Sequence, residues 1–242
     1  MFFAINQPNR ILIMNSEKRD EQNGSMAFHK GTEDDLAKFV LTNAEKNNPE
    51  SVIKAIDTFC WNNHWMMHVG DKKGTIVDNI ILEHKPKYLL ELGTYCSYSA
   101  IRMARLLPQD GLVLTIDPFP QPAAKTIVEF SGLTHKIQFL HGYGADVIPT
   151  LKTKYNAQID MVFIDHDKKA YLSDLKLLEQ NNLMRRGCAV VADNVLIFHI
   201  DDYLNHVRNS GLYKSSINHV ATLEYDDSGL NERVDGIEVS IW

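Results

Sequence analysis

Two carboxylates and one side-chain amide directly follow apolar runs of the sequence. Asp165 ends the run MVFID, and Asp193 with Asn194 ends the run VVADN. If both runs are neighbouring strands of a parallel sheet, their carboxyl ends lie at the edge where such sheets bind ligands. Oxygen donors without cysteine favour Mg²⁺ over softer metals. The alternative is that each strand-end carboxylate only caps the helix that follows.

A lysine and a distant glutamate could add proton chemistry to these donors. Lys168 lies three residues after Asp165 and could face the same pocket as a general base. The opposing interpretation is a solvated surface lysine, which is the interpretation we give to Lys169. Glu224, which we expect late in a strand, could accept a hydrogen bond from a substrate hydroxyl.

A second candidate site lies where the run YLLEL meets the turn beginning at Gly93. A helix is expected from about Ala100, and the start of such a helix offers free backbone N–H groups to a ligand. The pyrophosphate fingerprint GxGxxG is not present, because Tyr95 and Tyr98 occupy its later glycine positions. Glu91 beside the turn suits the ammonium group of an amino-acid-bearing cofactor and repels phosphate.

Four further side chains could complete a site for a nucleoside and a flat ring. Asp117 ends the second apolar run and could accept both ribose hydroxyls, or could simply hold the turn before Pro118. His166 could contact an adenine edge or be an ordinary strand-end histidine. Trp65 and Met67 lie in the stretch WMMHVG, where an apolar lid and a small core cluster give the same pattern.

The spacing of apolar residues predicts the elements that position these side chains. Helices are predicted after Thr32, from Asn48-Pro49 and after Gly70-Asp71. From residue 87 onward, the runs YLLEL, LVLTI, KIQFL, MVFID and CAVVAD alternate with helical patterns, which predicts buried parallel strands. Two strand-like stretches, 215–225 and 235–242, follow with no helix between them. The prediction is a doubly wound α/β fold, whose mostly parallel seven-stranded sheet has an antiparallel last strand.

Composition and charge restrict the classes of partner. The 242 residues suit one domain over residues 32–242, preceded by a polar, flexible extension over residues 1–31. A formal charge of −6, from 25 Lys plus Arg and 31 Asp plus Glu, disfavours nucleic acid and anionic membranes as partners. We therefore expect a small-molecule ligand and a monomer or weak homodimer.

The cysteines and the amino-terminal stretch predict a cytoplasmic location. Cys60, Cys96 and Cys188 are widely spaced and form no CxxC pair, which favours a reducing compartment. The opening stretch is apolar in patches, but polar residues and Pro8 interrupt it. We expect neither an export signal nor a membrane anchor.

From about Ser51 to Trp242 the chain resembles the catechol O-methyltransferase family. The resemblance is carried, in family order and near family spacing, by AIDTFC, VGDKKG, LLELGTYCSYSAIRMARLL, DVIPTLKTKY, DMVFIDHDKKAYL, LLE, ADNV, LEY and VDGIE. It implies a Rossmann-like, S-adenosylmethionine-dependent methyltransferase fold, Mg²⁺, and methyl transfer to one hydroxyl of a catechol.

The resemblance also implies a role for each candidate residue. The metal ligands would be Asp165, Asp193 and Asn194; the base would be Lys168, and Glu224 would bind the catechol. The cofactor would be lined by Val69, Glu91, Gly93, Tyr95, Ser99, Asp117 and His166. Lys168, Asn194 and Glu224 would also contact the substrate, with Trp65, Met67 and Phe198 as walls of its pocket.

At several positions the chain departs from the mammalian pattern, and these departures leave cofactor affinity and regioselectivity open. Asp117 replaces a glutamate, Gly144-Ala145 a Ser-Gln pair, Asp167 a tryptophan and Phe198 a proline. Three alternatives also stay open. They are an O-methyltransferase for another phenolic such as a caffeoyl-type substrate, a cofactor-binding protein without turnover, and more distantly a nucleotide-dependent dehydrogenase.

Overall fold

Three helices precede the sheet. The computed structural model describes residues 31–155, 158–198, 200–226 and 233–242. Residues 1–30 of the predicted extension therefore lie outside the described residues. The helices are α1 (Thr32–Asn43), α2 (Pro49–Asn62) and α3 (Gly70–His84). The Asn48 side chain accepts a hydrogen bond from Ser51 N at 3.1 Å, which satisfies a free N–H at the start of α2. The three predicted helices are confirmed, but α3 begins at Gly70 rather than after Gly70-Asp71.

Strands and helices then alternate, as the apolar runs predicted. The strands are β1 (Tyr88–Leu92), β2 (Leu112–Asp117), β3 (Ile137–His141), β4 (Ile159–Ile164), β5 (Met184–Ala192), β6 (Ser215–Thr222) and β7 (Val234–Ile241). The intervening helices are α4 (Tyr98–Ala104), α5 (Pro122–Ser131), α6 (Gly144–Val147), α7 (Leu151–Tyr155), α8 (Tyr171–Gln180) and α9 (Asp201–Asn209).

In the part of the chain that the structure describes, the seven strands form one sheet in the order β3-β2-β1-β4-β5-β7-β6. The first five strands in this order are parallel, whereas β7 runs antiparallel to both β5 and β6. The predicted doubly wound sheet with an antiparallel last strand is confirmed.

Successive side chains of each buried strand point to opposite faces of the sheet and pack into two separate hydrophobic cores. Leu89 and Phe163 pack with the helices α1 to α5 on one face, and Leu90 and Val162 pack with α7, α8 and α9 on the other. Because both faces are covered, the central strands are apolar throughout and polar side chains concentrate where the strands end.

Two further predicted boundaries are wrong. Helix α4 begins at Tyr98 rather than near Ala100. Glu224 is not in a strand, because β6 ends at Thr222. One further backbone bond, from Leu223 N to Arg233 O at 2.7 Å, continues the pairing. The chain then turns through Tyr225, whose φ is 52°. Of the helices in the described ranges, none combines the length and the apolar character needed to cross a bilayer.

Candidate active site

The tips of β4 and β5 bring the two predicted aspartates together. Ile164 pairs with Ala192 in the parallel register, so Asp165 and Asp193 are the next residues on strands that lie about 4.8 Å apart. Backbone bonds extend the pairing, since Asp193 N donates to Ile164 O at 3.0 Å. Asn194 follows with a φ of 58°, a left-handed conformation that asparagine tolerates better than most residues.

Lys168 faces the same strand tips. Its ammonium lies 2.9 Å from Asp165 Oδ1 and donates to the Tyr171 hydroxyl at 2.7 Å. The Tyr171 hydroxyl in turn donates to the backbone oxygen of Asp193 at 3.1 Å. The Phe198 ring, 53% exposed, has its centroid 5.6 Å from the Lys168 Nζ. The structure therefore joins the predicted base, two predicted donors and one predicted pocket wall.

Glu224 lies on the other side of these tips, against the loop before α3. Trp65 Nε1 donates to Glu224 O at 3.2 Å, and Met67 in the same loop is 37% exposed. A Cβ on Gly70 would lie 2.6 Å from the Glu224 Cβ, so this close approach requires glycine. Trp65 and Glu224 thus meet as the resemblance implied.

A lysine that the sequence analysis did not identify connects Glu224 to the metal candidates. Lys73, in the first turns of α3, is fully buried. Its Nζ lies 2.7 Å from Asp193 Oδ1, 3.0 Å from Glu224 Oε2 and 2.7 Å from Asp235 Oδ2. Burial alone would lower the pKa of this ammonium, but the three carboxylates raise it above its ordinary value.

The pKa values of the three carboxylates around Lys73 shift in different directions. Burial raises the pKa of Asp193, and Lys73 opposes that shift. Burial likewise raises the pKa of Glu224. At Asp235 burial also acts upward, but Lys73 and a hydrogen bond from Asn194 leave the pKa below its ordinary value. Asn194 Nδ2 donates to Asp235 Oδ2 at 2.8 Å, which leaves the amide Oδ1 available as an acceptor.

Glu91 lies at the end of the site where the sequence predicts a cofactor. It is fully buried, and Thr115 Oγ1 donates to its Oε2 at 2.5 Å. Within the described residues its Oε1 has no hydrogen-bond partner, while Ser99 lies close enough to the carboxylate to lower its pKa. Burial is the larger effect and raises the pKa of Glu91 to about 8. An ammonium group placed at Oε1 would satisfy that atom and favour the carboxylate form.

The turn after β1 is held against the tips of β2 and β4. Gly93 has a φ of 103°, and a Cβ on it would lie 2.2 Å from Asp165 O. Asp117 Oδ2 accepts hydrogen bonds from Thr94 N at 2.9 Å and Tyr95 N at 3.1 Å, and its Oδ1 accepts one from Phe119 N at 2.7 Å. Asp117 therefore holds the turn, as the alternative interpretation predicted, and its ribose role stays a prediction.

Two other cofactor candidates border this turn. The Tyr95 hydroxyl donates to Glu33 Oε1 at 2.9 Å, which ties α1 to the turn. Val69 is buried immediately before α3. Both lie on the face of the sheet that carries α1 to α5.

His166 points towards α8. Its Nε2 lies 3.0 Å from Asp174 Oδ2, and its ring stacks on Tyr171 with centroids 5.3 Å apart. A Cβ on Gly144 would lie 1.9 Å from the same Asp174 oxygen, so the glycine makes room for this pair. His166 Nδ1 is buried and has no hydrogen-bond partner within the described residues, which leaves it available to a ligand.

The metal candidates form an oxygen donor set. Among the described residues, no three His, Cys, Asp or Glu side chains are arranged to hold a metal ion. The predicted set has two carboxylates and one amide, so its third donor is Asn194. Formally, Asp165, Asp193, Glu224 and Asp235 carry four negative charges, and within the described ranges the positive charges paired with them are the two ammonium groups of Lys73 and Lys168. A divalent cation would balance the remaining charge.

Lys73, Asp235, Thr115 and Asp174 are the contributors that sequence reasoning missed. A signal for Lys73 was present, because it is spaced four, seven and eight residues before Val77, Ile80 and Ile81 on the buried face of α3. The other three carry no comparable pattern.

Comparison with known proteins identifies close relatives. Residues 43–205 match the model of a family described as O-methyltransferase. The chain is 42% identical over 210 residues to the catechol O-methyltransferase of Mus musculus, which covers 86% of this chain and 77% of that protein. It is 41% identical over 242 residues to the catechol O-methyltransferase of Bos taurus, which covers 98% and 81%.

A solved structure shares the fold. The O-methyltransferase from Bacillus cereus, in complex with SAH, superimposes with a TM-score of 0.62 over 85% of this chain and 99% of that one. At 16% sequence identity, this likeness supports the architecture and not the identity of the ligands.

Proposed function

The chain belongs to the O-methyltransferase family, and from that premise we propose that it transfers a methyl group from S-adenosylmethionine to one hydroxyl of a catechol-type molecule with the help of Mg²⁺. The observation that carries the proposal is the grouping of Asp165, Lys168, Asp193 and Glu224 around two adjacent strand tips. The named activity of the mouse and bovine relatives supports the catechol substrate.

S-adenosylmethionine fits the turn after β1. Its ammonium group would meet the unpaired Oε1 of Glu91, and Gly93 allows this turn to pack against the backbone of Asp165. The family resemblance of the sequence implies the same cofactor. Val69, Tyr95, Ser99 and His166 would line the remainder of the cofactor.

Mg²⁺ fits the oxygen donors Asp165, Asp193 and Asn194 and the negative charge around them. Bound there, the ion would act as a Lewis acid that lowers the pKa of a substrate hydroxyl.

The residues of the chain supply the remaining steps. Lys168, in its neutral amine form, takes the proton from the hydroxyl to be methylated and becomes an ammonium, and its contacts with Asp165 and Tyr171 fix the position of Nζ. Glu224 accepts a hydrogen bond from the second hydroxyl. Trp65 and Phe198 hold the ring so that the oxygen faces the methyl group in line, and this positioning provides much of the rate.

Substitution of Lys168 tests this role, because the chain offers a matched control in the exposed neighbour Lys169. We expect Lys168→Met to lower kcat by about 10²- to 10⁴-fold, whereas Lys169→Met changes it less than twofold. Turnover of a simple catechol should also stop with EDTA and return with Mg²⁺. Equal effects of the two lysine substitutions, or full activity in EDTA, would contradict the mechanism.

A substrate panel separates this proposal from its alternatives. A caffeoyl-type or other phenolic methyltransferase would act on mono-hydroxylated rings as well as on catechols, while a binding protein would bind S-adenosylmethionine without turnover. Phe198 and Asp167 replace two pocket residues of the family, so the ratio of the two mono-methylated products should be measured with the same panel. We also propose that the enzyme is cytoplasmic, that it is a monomer or a weak homodimer, and that it binds neither nucleic acid nor membranes.

A further inference from the structure

Lys73 is a fully buried cation at the centre of the candidate active site. Its side chain extends from α3 to Asp193 at the tip of β5 and is shielded from solvent. Both carboxylate oxygens of Asp193 lie within 3.0 Å of its Nζ, at 2.7 Å and 3.0 Å. A carboxylate held at both oxygens cannot rotate without breaking an ion pair.

The same ammonium joins residues with different roles in the proposed reaction. It pairs with Asp193, a proposed metal ligand, and with Glu224, the proposed partner of the second hydroxyl. The two carboxylates lie on separate segments of the chain, and Glu224 is in a turn rather than in the sheet. Lys73 therefore lies between the proposed metal ligand and the proposed hydroxyl-binding residue and forms an ion pair with each of them.

Asp235 completes the arrangement. Its Oδ2 accepts hydrogen bonds from Lys73 at 2.7 Å and from Asn194 Nδ2 at 2.8 Å. The second bond fixes which way the Asn194 amide is turned, so that its oxygen and not its nitrogen is free for a cation. Groups that hold metal ligands in this manner tune both the geometry and the affinity of a site.

We propose that Lys73 is a positioning residue that, together with Asp235, holds Asp193, Asn194 and Glu224 in the geometry needed to bind the divalent cation and both oxygens of the catechol. The inference rests on the proposed function, since it assigns a support to that same site. A positioning role and a purely electrostatic role predict opposite effects of Lys73 on the affinity for the metal ion. A buried positive charge that only repelled the cation would weaken metal binding, whereas a positioning residue strengthens it.

The test compares Lys73→Met with Lys72→Met, a substitution of the exposed neighbouring lysine on the same helix. Mn²⁺ serves as the probe, and its binding to the full chain is followed by electron paramagnetic resonance without any turnover. We expect K73M to raise the Kd for Mn²⁺ by about 10- to 100-fold, and K72M to leave it within twofold. In assays with saturating Mg²⁺, K73M should also raise KM for the catechol at least tenfold.

A second comparison covers the case in which K73M does not fold, because that variant leaves buried carboxylates without their cation. The variant K73M/D235N removes one charge of each sign, and D235N alone keeps an acceptor for Lys73 and Asn194. The double variant should bind Mn²⁺ at least tenfold more weakly than D235N, and this difference isolates the contribution of Lys73.

Unchanged or tighter Mn²⁺ binding in the folded lysine variants, with an unchanged KM, would overturn the positioning role and leave the proposed function intact. The variant Asp165→Ala distinguishes that outcome from failure of the proposed metal site, on which the inference rests. If the wild-type chain binds no Mn²⁺, or if D165A binds it equally well, the metal site itself is wrong and the inference falls with it.

Discussion

Gly93→Ala is a direct test of the close contact between the cofactor turn and the tip of β4. The added Cβ would lie 2.2 Å from Asp165 O and 2.8 Å from Asp165 C, which are backbone atoms that cannot rotate away. Relief of the clash requires a shift of roughly 1 Å between the two strand tips. Overpacking of this kind costs about 1–3 kcal/mol. The positive φ of residue 93 adds about 1–3 kcal/mol for any residue with a Cβ.

Gly187→Ala separates these two contributions. Gly187 also has a positive φ, of 87°, but a Cβ there meets nothing within 4 Å. It should therefore show the backbone cost without the clash. In a chain of this size about 1 kcal/mol corresponds to roughly 2–4 °C, so G93A should melt about 2–12 °C below G187A in a calorimetric scan.

The two variants should differ more in function than in stability. The clash displaces Asp165 and narrows the turn that we propose binds the cofactor, and a displacement of about 1 Å costs about 10²-fold in rate. We expect kcat to fall by about that factor in G93A and to change less than threefold in G187A. Calorimetric titration should show weaker S-adenosylmethionine binding only in G93A. Equal melting temperatures and equal affinities in the two variants would refute the reasoning.

Three further predictions concern single side chains. Burial raises the pKa of Asp57 to about 6 against opposing bonds from Tyr98 and Tyr225, so its contribution to stability is lost as the pH rises from about 4 through 6. Asp57→Asn should remove up to about 3 kcal/mol of that loss. If the free energy of unfolding changes equally with pH in both proteins from pH 4 to 7, the prediction is contradicted. Thr115→Val should cost about 1–3 kcal/mol in urea unfolding because it leaves Glu91 Oε2 unpaired, and an unchanged midpoint would argue against that bond. Asp117→Ala should weaken S-adenosylmethionine binding at least tenfold in calorimetric titration by releasing three backbone N–H groups, whereas wild-type affinity would mean that the turn holds without them.

Local sequence patterns were sufficient to predict the strand tips. Asp165 and Asp193 end unbroken apolar runs, and parallel strands necessarily bring such ends to one edge. Lys168 could be placed beside Asp165 because it lies only three residues further along the chain. The contact of Gly93 with this edge follows from the same topology, since β1 lies next to β4.

Contacts between distant segments were not predictable in this way. Lys73 is 120 residues from Asp193 and 162 from Asp235, and no periodicity connects such positions. A charged residue on an apolar helix face also counts as an exception to the pattern until its partners are known. Glu224 was misplaced because strand propensity continues past Thr222, whereas the turn depends on packing against Gly70 and Trp65.

The contact between Gly144 and Asp174 makes replacements at these positions interdependent. A serine at residue 144, which the mammalian pattern has, would collide with Asp174 while that carboxylate holds His166. Exchange of residue 144 alone should therefore disturb the position of His166, whereas a paired exchange with a smaller residue at 174 avoids the collision.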